Sequence, residues 1–255
     1  MARKKTAAAL SQTLPKTPVA VPVRYPLPDL LRGLAVLLMM IYHFCYDLVF
    51  VGVLVIHFQT EPFWLIFRGL IVSLFLGVMG ASLYLGTRDG LRWSAWWRRW
   101  GWLLLAAGLV SLGSYQIFPD RFIYFGVLHF IALASLLALP FRNLGWLNLG
   151  LGGLCVGLGV TVTQPFFDQA AWQWVGLMTF KPATEDYVPF LPWFGVVLLG
   201  IWVGSRLDER LLGWPGPAGW ARLPRYLGRH ALLVYLLHQP LLLGMLLGLR
   251  GLGLV

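Results

Sequence analysis

The sequence has few charged residues and few cysteines for its length. Only 12% of its 255 residues are charged and 58% are hydrophobic, whereas soluble domains average about a quarter charged and under half apolar residues. This composition argues against a soluble globular domain. The two cysteines, Cys45 and Cys155, both lie inside apolar stretches, so we do not expect a disulfide framework.

Several motifs that identify common kinds of active site are also missing. The sequence contains no Walker A phosphate loop, no cysteine pair at metal-ligand spacing and no HExxH motif, and its five histidines are scattered singly. A metal site would have to be assembled from several distant segments. We therefore expect chemistry that uses no metal ion.

Long apolar runs are what the sequence does contain. Its mean hydropathy is +0.73, and a helix needs about 20 apolar residues to cross the hydrocarbon core of a bilayer. The sequence therefore predicts an all-α, polytopic transmembrane helix bundle with about seven spans. These fall at 30–55, 63–85, 101–118, 123–139, 144–162, 190–203 and 231–249.

The distribution of charge predicts the orientation of these spans. With the N-terminus in the cytoplasm and the C-terminus outside, sixteen of the twenty Lys and Arg residues lie on the inner side, as the positive-inside rule requires. The net charge of +10 then divides into +12 inside and −2 outside. The basic excess is thus mainly a mark of orientation, and we expect no nucleic acid partner.

The chain is expected to form one domain after a tail. Residues 1–28 are rich in Ala, Thr and Pro with scattered Lys, which is typical of a disordered basic cytoplasmic tail. Residues 29–255 are predicted to form a single transmembrane domain of a multi-pass protein in a bacterial cytoplasmic (inner) membrane. The lipid bilayer is its first partner, and the sequence leaves a homo-oligomer open.

The first predicted helix carries polar residues at both ends. Asp29 and Arg32 lie near its inner end, and His43, Tyr46 and Asp47 lie near its outer end. Steps of three and four place the two pairs Asp29–Arg32 and His43–Asp47 on one face, about 27 Å from end to end. An ionisable residue inside a membrane is costly, so each is a candidate functional residue.

His43 and Asp47 are the strongest catalytic candidates. A carboxylate four residues after a histidine can accept a hydrogen bond from the ring, fix its tautomer and stabilise its protonated form. The pair would then act as a general base near neutral pH. The alternative is a polar pair that holds this helix against a neighbour.

Other polar residues have weaker signals. His129 lies at a depth similar to that of His43 and is a second base candidate or a packing residue. His57 lies in the first outer loop, where it is either a base or a surface residue. Asp186 could close an outer pocket or be a solvated loop acid, and Arg229 lies at the interface, where it could contact an anion or a lipid headgroup. His238 lies next to a predicted proline kink, where it could line a ligand channel or satisfy the freed backbone.

The order of several motifs resembles a known family. Taken together, the chain resembles the bacterial DUF1624 membrane proteins, which are related to the catalytic region of heparan-alpha-glucosaminide N-acetyltransferase. The resemblance extends from about Tyr25 to Leu246. It rests on residues 29–34 (DLLRGL), 42–47 (YHFCYD), 74–82 (LFLGVMGAS), 123–129 (IYFGVLH), 186–193 (DYVPFLPW), 227–230 (LGRH) and 235–240 (YLLHQP).

The resemblance implies a membrane acyltransferase that moves an acetyl group from cytoplasmic acetyl-CoA to a sugar or glycan acceptor on the other side. Arg32, with Arg229 or Arg98, would hold the CoA phosphates, and His43 would deprotonate the acceptor. In the glucosaminide enzymes the reactive histidine lies just after the first helix. His57 is the only histidine in the corresponding loop of this chain. The alternatives are a small-solute carrier or channel with the same His-lined interior, or a structural membrane protein without chemistry.

Overall fold

The computed structural model describes residues 24–254, and none of these residues forms a β-strand. Much of the predicted tail, residues 1–23, lies outside the described residues. The described part contains nine α-helices. They are α1 (Pro26–Phe50), α2 (Pro62–Thr87), α3 (Trp93–Ile117), α4 (Val127–Leu137), α5 (Leu147–Thr161), α6 (Phe190–Gly204), α7 (Glu209–Leu212), α8 (Arg222–Arg229) and α9 (Ala231–Gly251).

Four of these helices, α1, α2, α3 and α9, are long and apolar enough to cross a membrane. Helices α4, α5 and α6 are apolar but have only 11, 15 and 15 residues. At 1.5 Å per residue they span about 16 to 22 Å, which is less than a bilayer core of about 30 Å. Each of the seven predicted spans coincides with a helix, and seven crossings stay a prediction.

The helix ends differ from the predicted boundaries where proline and short turns intervene. Pro26 and Pro62 begin α1 and α2, because proline at the first helical position has the right φ and needs no hydrogen bond for its missing N–H. Helix α1 thus begins three residues before the predicted domain start at residue 29. The predicted fourth span is helical only over 127–137, since residues 123–126 form a bend before the helix and a 3-10 turn begins at Leu139.

The helices pack through small residues. A Cβ at Gly33 would collide with the carbonyl of Pro224, and one at Gly228 would collide with the carbonyl of Asp29. Helices α1 and α8 therefore approach each other backbone to backbone, as membrane helices do at glycine contacts. This contact brings Arg229, at the end of α8, next to the first turn of α1.

The buried core lies between α2, α4 and α6. Leu76, Phe130, Val197 and Ile201 are fully enclosed there. Helix α3, by contrast, exposes large apolar side chains from Trp93 to Ile117, which is the pattern expected of a surface in contact with lipid. Helices α1 and α9 flank the core, and their contact carries the polar residues described next.

Candidate active site

Asp29, in the first turn of α1, is surrounded by arginines. Its side chain accepts hydrogen bonds from Nε of Arg24 at 2.7 Å and from Nη1 of Arg32 at 3.2 Å. Nε of Arg229 lies 3.4 Å from the same carboxylate. Asp29 is only 3% exposed. We call these four residues the Asp29 cluster; it holds one negative and three positive charges, so it attracts anions.

The Asp29 cluster adjoins a cleft between α2, α3 and α4. Nη2 of Arg32 donates a hydrogen bond to the hydroxyl of Ser82 at 2.8 Å, and Ser82 lines this cleft of about 190 Å³. Arg92 and Arg99 line it as well, together with Trp96. Arg98, the predicted phosphate ligand on α3, is exposed and does not line the cleft. Arg99 points there instead, because it lies one residue further around the helix.

Near the other end of α1, Asp47 pairs with α9. Gln239 donates a hydrogen bond from Nε2 to Oδ1 of Asp47 at 2.6 Å. Asp47 is 1% exposed. Its Oδ2 and the Oε1 of Gln239 are buried and have no hydrogen-bond partner among residues 24–254. A buried polar atom without a partner is uncommon and often marks a functional site.

His43 faces His238 across the same helix contact. The two ring centroids are 4.9 Å apart, with the edge of one ring against the other. Nδ1 of His238 lies 2.6 Å from the carbonyl oxygen of Tyr235, so Nδ1 carries a hydrogen and Nε2 has a free lone pair. That Nε2 is buried without a partner, and His238 is 6% exposed. We call His43, Asp47, His238 and Gln239 the α1–α9 cluster.

The predicted hydrogen bond between His43 and Asp47 is absent from the described part of the chain. Asp47 is bound by Gln239 from α9, and His43 is turned toward His238. The spacing of four residues does place both on one face of α1. It cannot show that another helix presents a better donor to the carboxylate, since that depends on tertiary packing.

Asp186 links the loop before α6 to two helices. Its Oδ2 accepts hydrogen bonds from the backbone N–H of Val127 at 2.8 Å and from the hydroxyl of Tyr235 at 3.2 Å. Burial raises the pKa of Asp186, and these two donors partly oppose that shift. A Cβ at Gly126 would collide with this carboxylate. Asp186 thus holds the start of α4 and the Tyr235–His238 turn of α9 together.

The same loop binds the C-terminal part of α1. Tyr46 donates its hydroxyl hydrogen to Glu185 at 3.1 Å, and Arg121 pairs with the other carboxylate oxygen at 3.3 Å. Nearby, Nζ of Lys181 donates to the side chain of Gln59 at 2.8 Å. Burial, with a smaller contribution from the positive charge of Arg68, lowers the pKa of Lys181 to about 8.

His129 and His57 lie apart from the α1–α9 cluster. The backbone N–H of Gly126 donates to Nδ1 of His129, and Nε2 of His129 lies 3.0 Å from the hydroxyl of Ser111. Both of its ring nitrogens therefore have partners, which is typical of a positioning role. His57 is exposed in the loop after α1. No ring contact or hydrogen bond joins either histidine to His43 within residues 24–254.

Four of the residues described above, Gln239, Tyr235, Arg24 and Arg99, were not singled out as candidates from the sequence. Gln239 and Tyr235 lie on α9 beside His238, where a polar residue inside an apolar run was an available signal. Arg99 had no distinguishing signal among the four arginines near α3. Within the described range 24–254, no group of three or more His, Cys, Asp or Glu side chains is placed to hold a metal ion, and metal-free chemistry stays a prediction.

Comparison with known proteins identifies the family. No curated protein and no solved structure matches the chain. The family model described as heparan-alpha-glucosaminide N-acetyltransferase, catalytic, matches residues 24–240. This range includes the whole Asp29 cluster and the whole α1–α9 cluster. The DUF1624 assignment stays a prediction. The chain therefore belongs to the family of the heparan-alpha-glucosaminide N-acetyltransferase catalytic domain, a transmembrane N-acetyltransferase type.

Proposed function

We propose that the protein is an integral-membrane acetyltransferase that transfers an acetyl group from cytoplasmic acetyl-CoA to an extracytoplasmic sugar or glycan acceptor. The observation that carries this proposal is the polarity of α1. It has an arginine-rich cluster at one end and a histidine-containing cluster at the other, joined by the buried apolar residues Val36 and Met39. Family membership supports the reaction class.

The Asp29 cluster is the proposed donor end. Guanidinium groups bind phosphate oxygens in pairs and stay charged at any relevant pH. Arg32 and Arg229 in the cluster, with Arg99 in the adjoining cleft, offer three such groups close to one end of α1. The pyrophosphate and ribose phosphate of CoA carry the charge that these groups would bind.

The α1–α9 cluster is the proposed acceptor end. His43 is only half-buried, whereas Asp47 and His238 are almost fully buried, so His43 is the member that an acceptor can reach. Its ring would remove the proton from the acceptor amine or hydroxyl as that atom attacks the thioester carbonyl. The C–S bond then breaks, and CoA leaves as the thiol once the proton is returned.

The distance between the two ends fits a long donor. Fourteen residues separate Asp29 from His43, which is about 21 Å along a helix. The phosphates of CoA are joined to its thioester by an extended pantetheine arm. The donor can therefore be held by arginines at one end of α1 while its acetyl group reaches the other end.

The proposal includes the orientation derived from charge, with seven crossings, the N-terminus inside and Lys181 outside. A membrane-impermeant amine reagent applied to intact cells should label Lys181 and spare Lys4, Lys5 and Lys16. Permeabilised cells should show labelling of all four lysines. Labelling of the three N-terminal lysines in intact cells would show that the N-terminus lies outside, opposite to the proposed orientation.

Acetyl transfer is tested with purified protein in lipid vesicles and radiolabelled acetyl-CoA. Wild-type protein should release free CoA and acetylate an amino sugar or glycan, and His43→Ala should abolish this. Smaller losses are expected for His57→Ala and His129→Ala. An inactive His57→Ala with an active His43→Ala would move the base to the loop after α1. Solute movement without use of acetyl-CoA would instead identify a carrier or channel.

A further inference from the structure

Buried polar atoms without partners are concentrated at one place in the molecule. Within residues 24–254, five buried side-chain nitrogen or oxygen atoms have no hydrogen-bond partner. Three of them belong to the α1–α9 cluster: Oδ2 of Asp47, Nε2 of His238 and Oε1 of Gln239. Each such atom lowers the free energy of unfolding by about 1–3 kcal/mol. Their clustering therefore indicates that the buried side of the contact between α1 and α9 has a function.

His238 is held in a defined protonation state. Its Nδ1 donates to the carbonyl oxygen of Tyr235 at 2.6 Å, and a carbonyl can only accept. The hydrogen is therefore fixed on Nδ1, and Nε2 presents a lone pair. Protonation at Nε2 would keep the Nδ1–H bond, so the carbonyl of Tyr235 also stabilises the charged ring.

His43 is the neighbour that can deliver a proton to this lone pair. The ring centroids are 4.9 Å apart and the rings meet edge to face. His43 lies on the accessible side and His238 on the buried side. Nε2 of His238 has no hydrogen-bond partner within residues 24–254, so a rotation of the His43 ring must first bring one of its nitrogens to Nε2. A proton taken up by one nitrogen of His43 is then matched by loss of the proton on its other nitrogen, toward α9.

We propose that His238 is the terminal proton acceptor of the acetyl transfer, with His43 as the relay. This inference rests on the proposed function. The acceptor O–H or N–H bond breaks as its oxygen or nitrogen bonds to the acetyl carbon, and that proton moves to His43. The second proton of His43 moves to Nε2 of His238. The C–S bond breaks, CoA leaves as the thiolate, and the stored proton returns through His43 to give the thiol.

The titratable groups around the pair come from three elements. Tyr42 contacts His43 from within α1, and Asp47 is held beside the pair by Gln239. Tyr235 contacts His238 from within α9, and Asp186 from the outer loop binds the Tyr235 hydroxyl. Asp47 and Asp186 are therefore the two carboxylates that accept hydrogen bonds from side chains of α9, the helix that carries His238.

The variant that separates a proton relay from a structural role is His238→Asn. The asparagine amide can replace the Nδ1–H donor to Tyr235, but it provides no basic nitrogen in place of Nε2. We expect kcat to fall about 100-fold, the lower end of the range for proton transfer by a positioned group. The KM for acetyl-CoA should not change. The matched control is His230→Asn, since His230 is exposed at the start of α9, and it should retain wild-type kcat.

A second measurement counts the protons that move, and its main readout comes from the wild-type protein. Because two protons move in the relay, kcat of the wild type should depend on the deuterium fraction of the solvent along a curve, and His238→Asn should give a straight line. A straight line in the wild type, or a His238→Asn variant with unchanged kcat, overturns the relay. A wild-type protein that transfers no acetyl group overturns the proposed function itself, so the two failures are distinguishable.

Discussion

Gln239 on α9 donates a hydrogen bond to Asp47 on α1, with 2.6 Å between Nε2 and Oδ1. The bond joins the first and last helices of the described chain, and Asp47 is almost fully buried in their contact. Because the carboxylate has no route to water, its partner determines how α9 is rotated against α1. That rotation places His238 against His43.

We expect Gln239→Ala to destabilise the protein, because it leaves the Asp47 carboxylate buried without a donor. The loss should be about 1–3 kcal/mol of unfolding free energy, measured as a lower Tm in detergent. Gln169→Ala is the matched control, since Gln169 is exposed in the outer loop. Equal Tm values for the two variants would show that the Gln239–Asp47 bond does not hold α9 in place.

Asp29→Asn removes the negative charge that three arginines share. Arg24, Arg32 and Arg229 would then face one another without a counter-ion, so we expect a loss of about 2 kcal/mol, the scale of hydrogen bonds to a charged group. Asp89→Asn tests the same chemical change on a side chain that is 90% exposed, where little effect is expected. Thermal unfolding compares the two, and an unchanged Tm for Asp29→Asn would contradict the role of the Asp29 cluster.

The close contact of α1 and α8 predicts opposite outcomes for two glycine substitutions. Gly228→Ala would push a methyl group into the carbonyl of Asp29, and overpacking of this kind costs about 1–3 kcal/mol. Gly108→Ala adds a methyl group in open space on α3, where alanine should stabilise the helix by about 0.5–1 kcal/mol. Fluorescence-monitored unfolding gives the free energy of unfolding of both variants. A Gly228→Ala variant as stable as the wild type would contradict the backbone contact between α1 and α8.

The lowered pKa of Lys181 predicts its reactivity with pH. Its amine should become neutral, and therefore nucleophilic, around pH 8, about two pH units below an ordinary lysine. Asp186 and Glu185 raise the pKa of Lys181, so Glu185→Gln should shift the midpoint of amine labelling to lower pH. Mass spectrometry after labelling at several pH values measures it. Asp120→Asn is the control for loss of an exposed outer carboxylate, and the same shift in both variants would contradict a local effect of Glu185.

The positions of the helices could be predicted because a long apolar run has few alternatives in a membrane. Residues 63–85 and 231–249 both lie within single helices of the structure. The predicted fourth span was too long, mainly because its first residues, 123–126, continue the apolar run but lie in a bend before the helix. Hydropathy measures the environment of a segment and not the direction of its backbone, so it does not detect such a bend.

The sites could be predicted in part. The grouping of Asp29 with Arg32 follows from spacing on one helix and is present. The pairing of His43 with Asp47 also followed from spacing and is absent, because Gln239 approaches from a helix 192 residues away in sequence. Spacing identifies which side chains share a face, whereas the partner across that face depends on how two helices meet.

The amino-acid sequence by itself determined that this is a helical membrane protein with an asymmetric charge and with polar residues at both ends of its first helix. These properties follow from composition and from the helical repeat, which act locally. Tertiary structure decided which histidine faces which, that Arg99 rather than Arg98 lines the cleft, and that His129 is fully bonded. Such pairings depend on contacts between helices distant in sequence, and the glycines that let those helices approach act only once the helices are packed together.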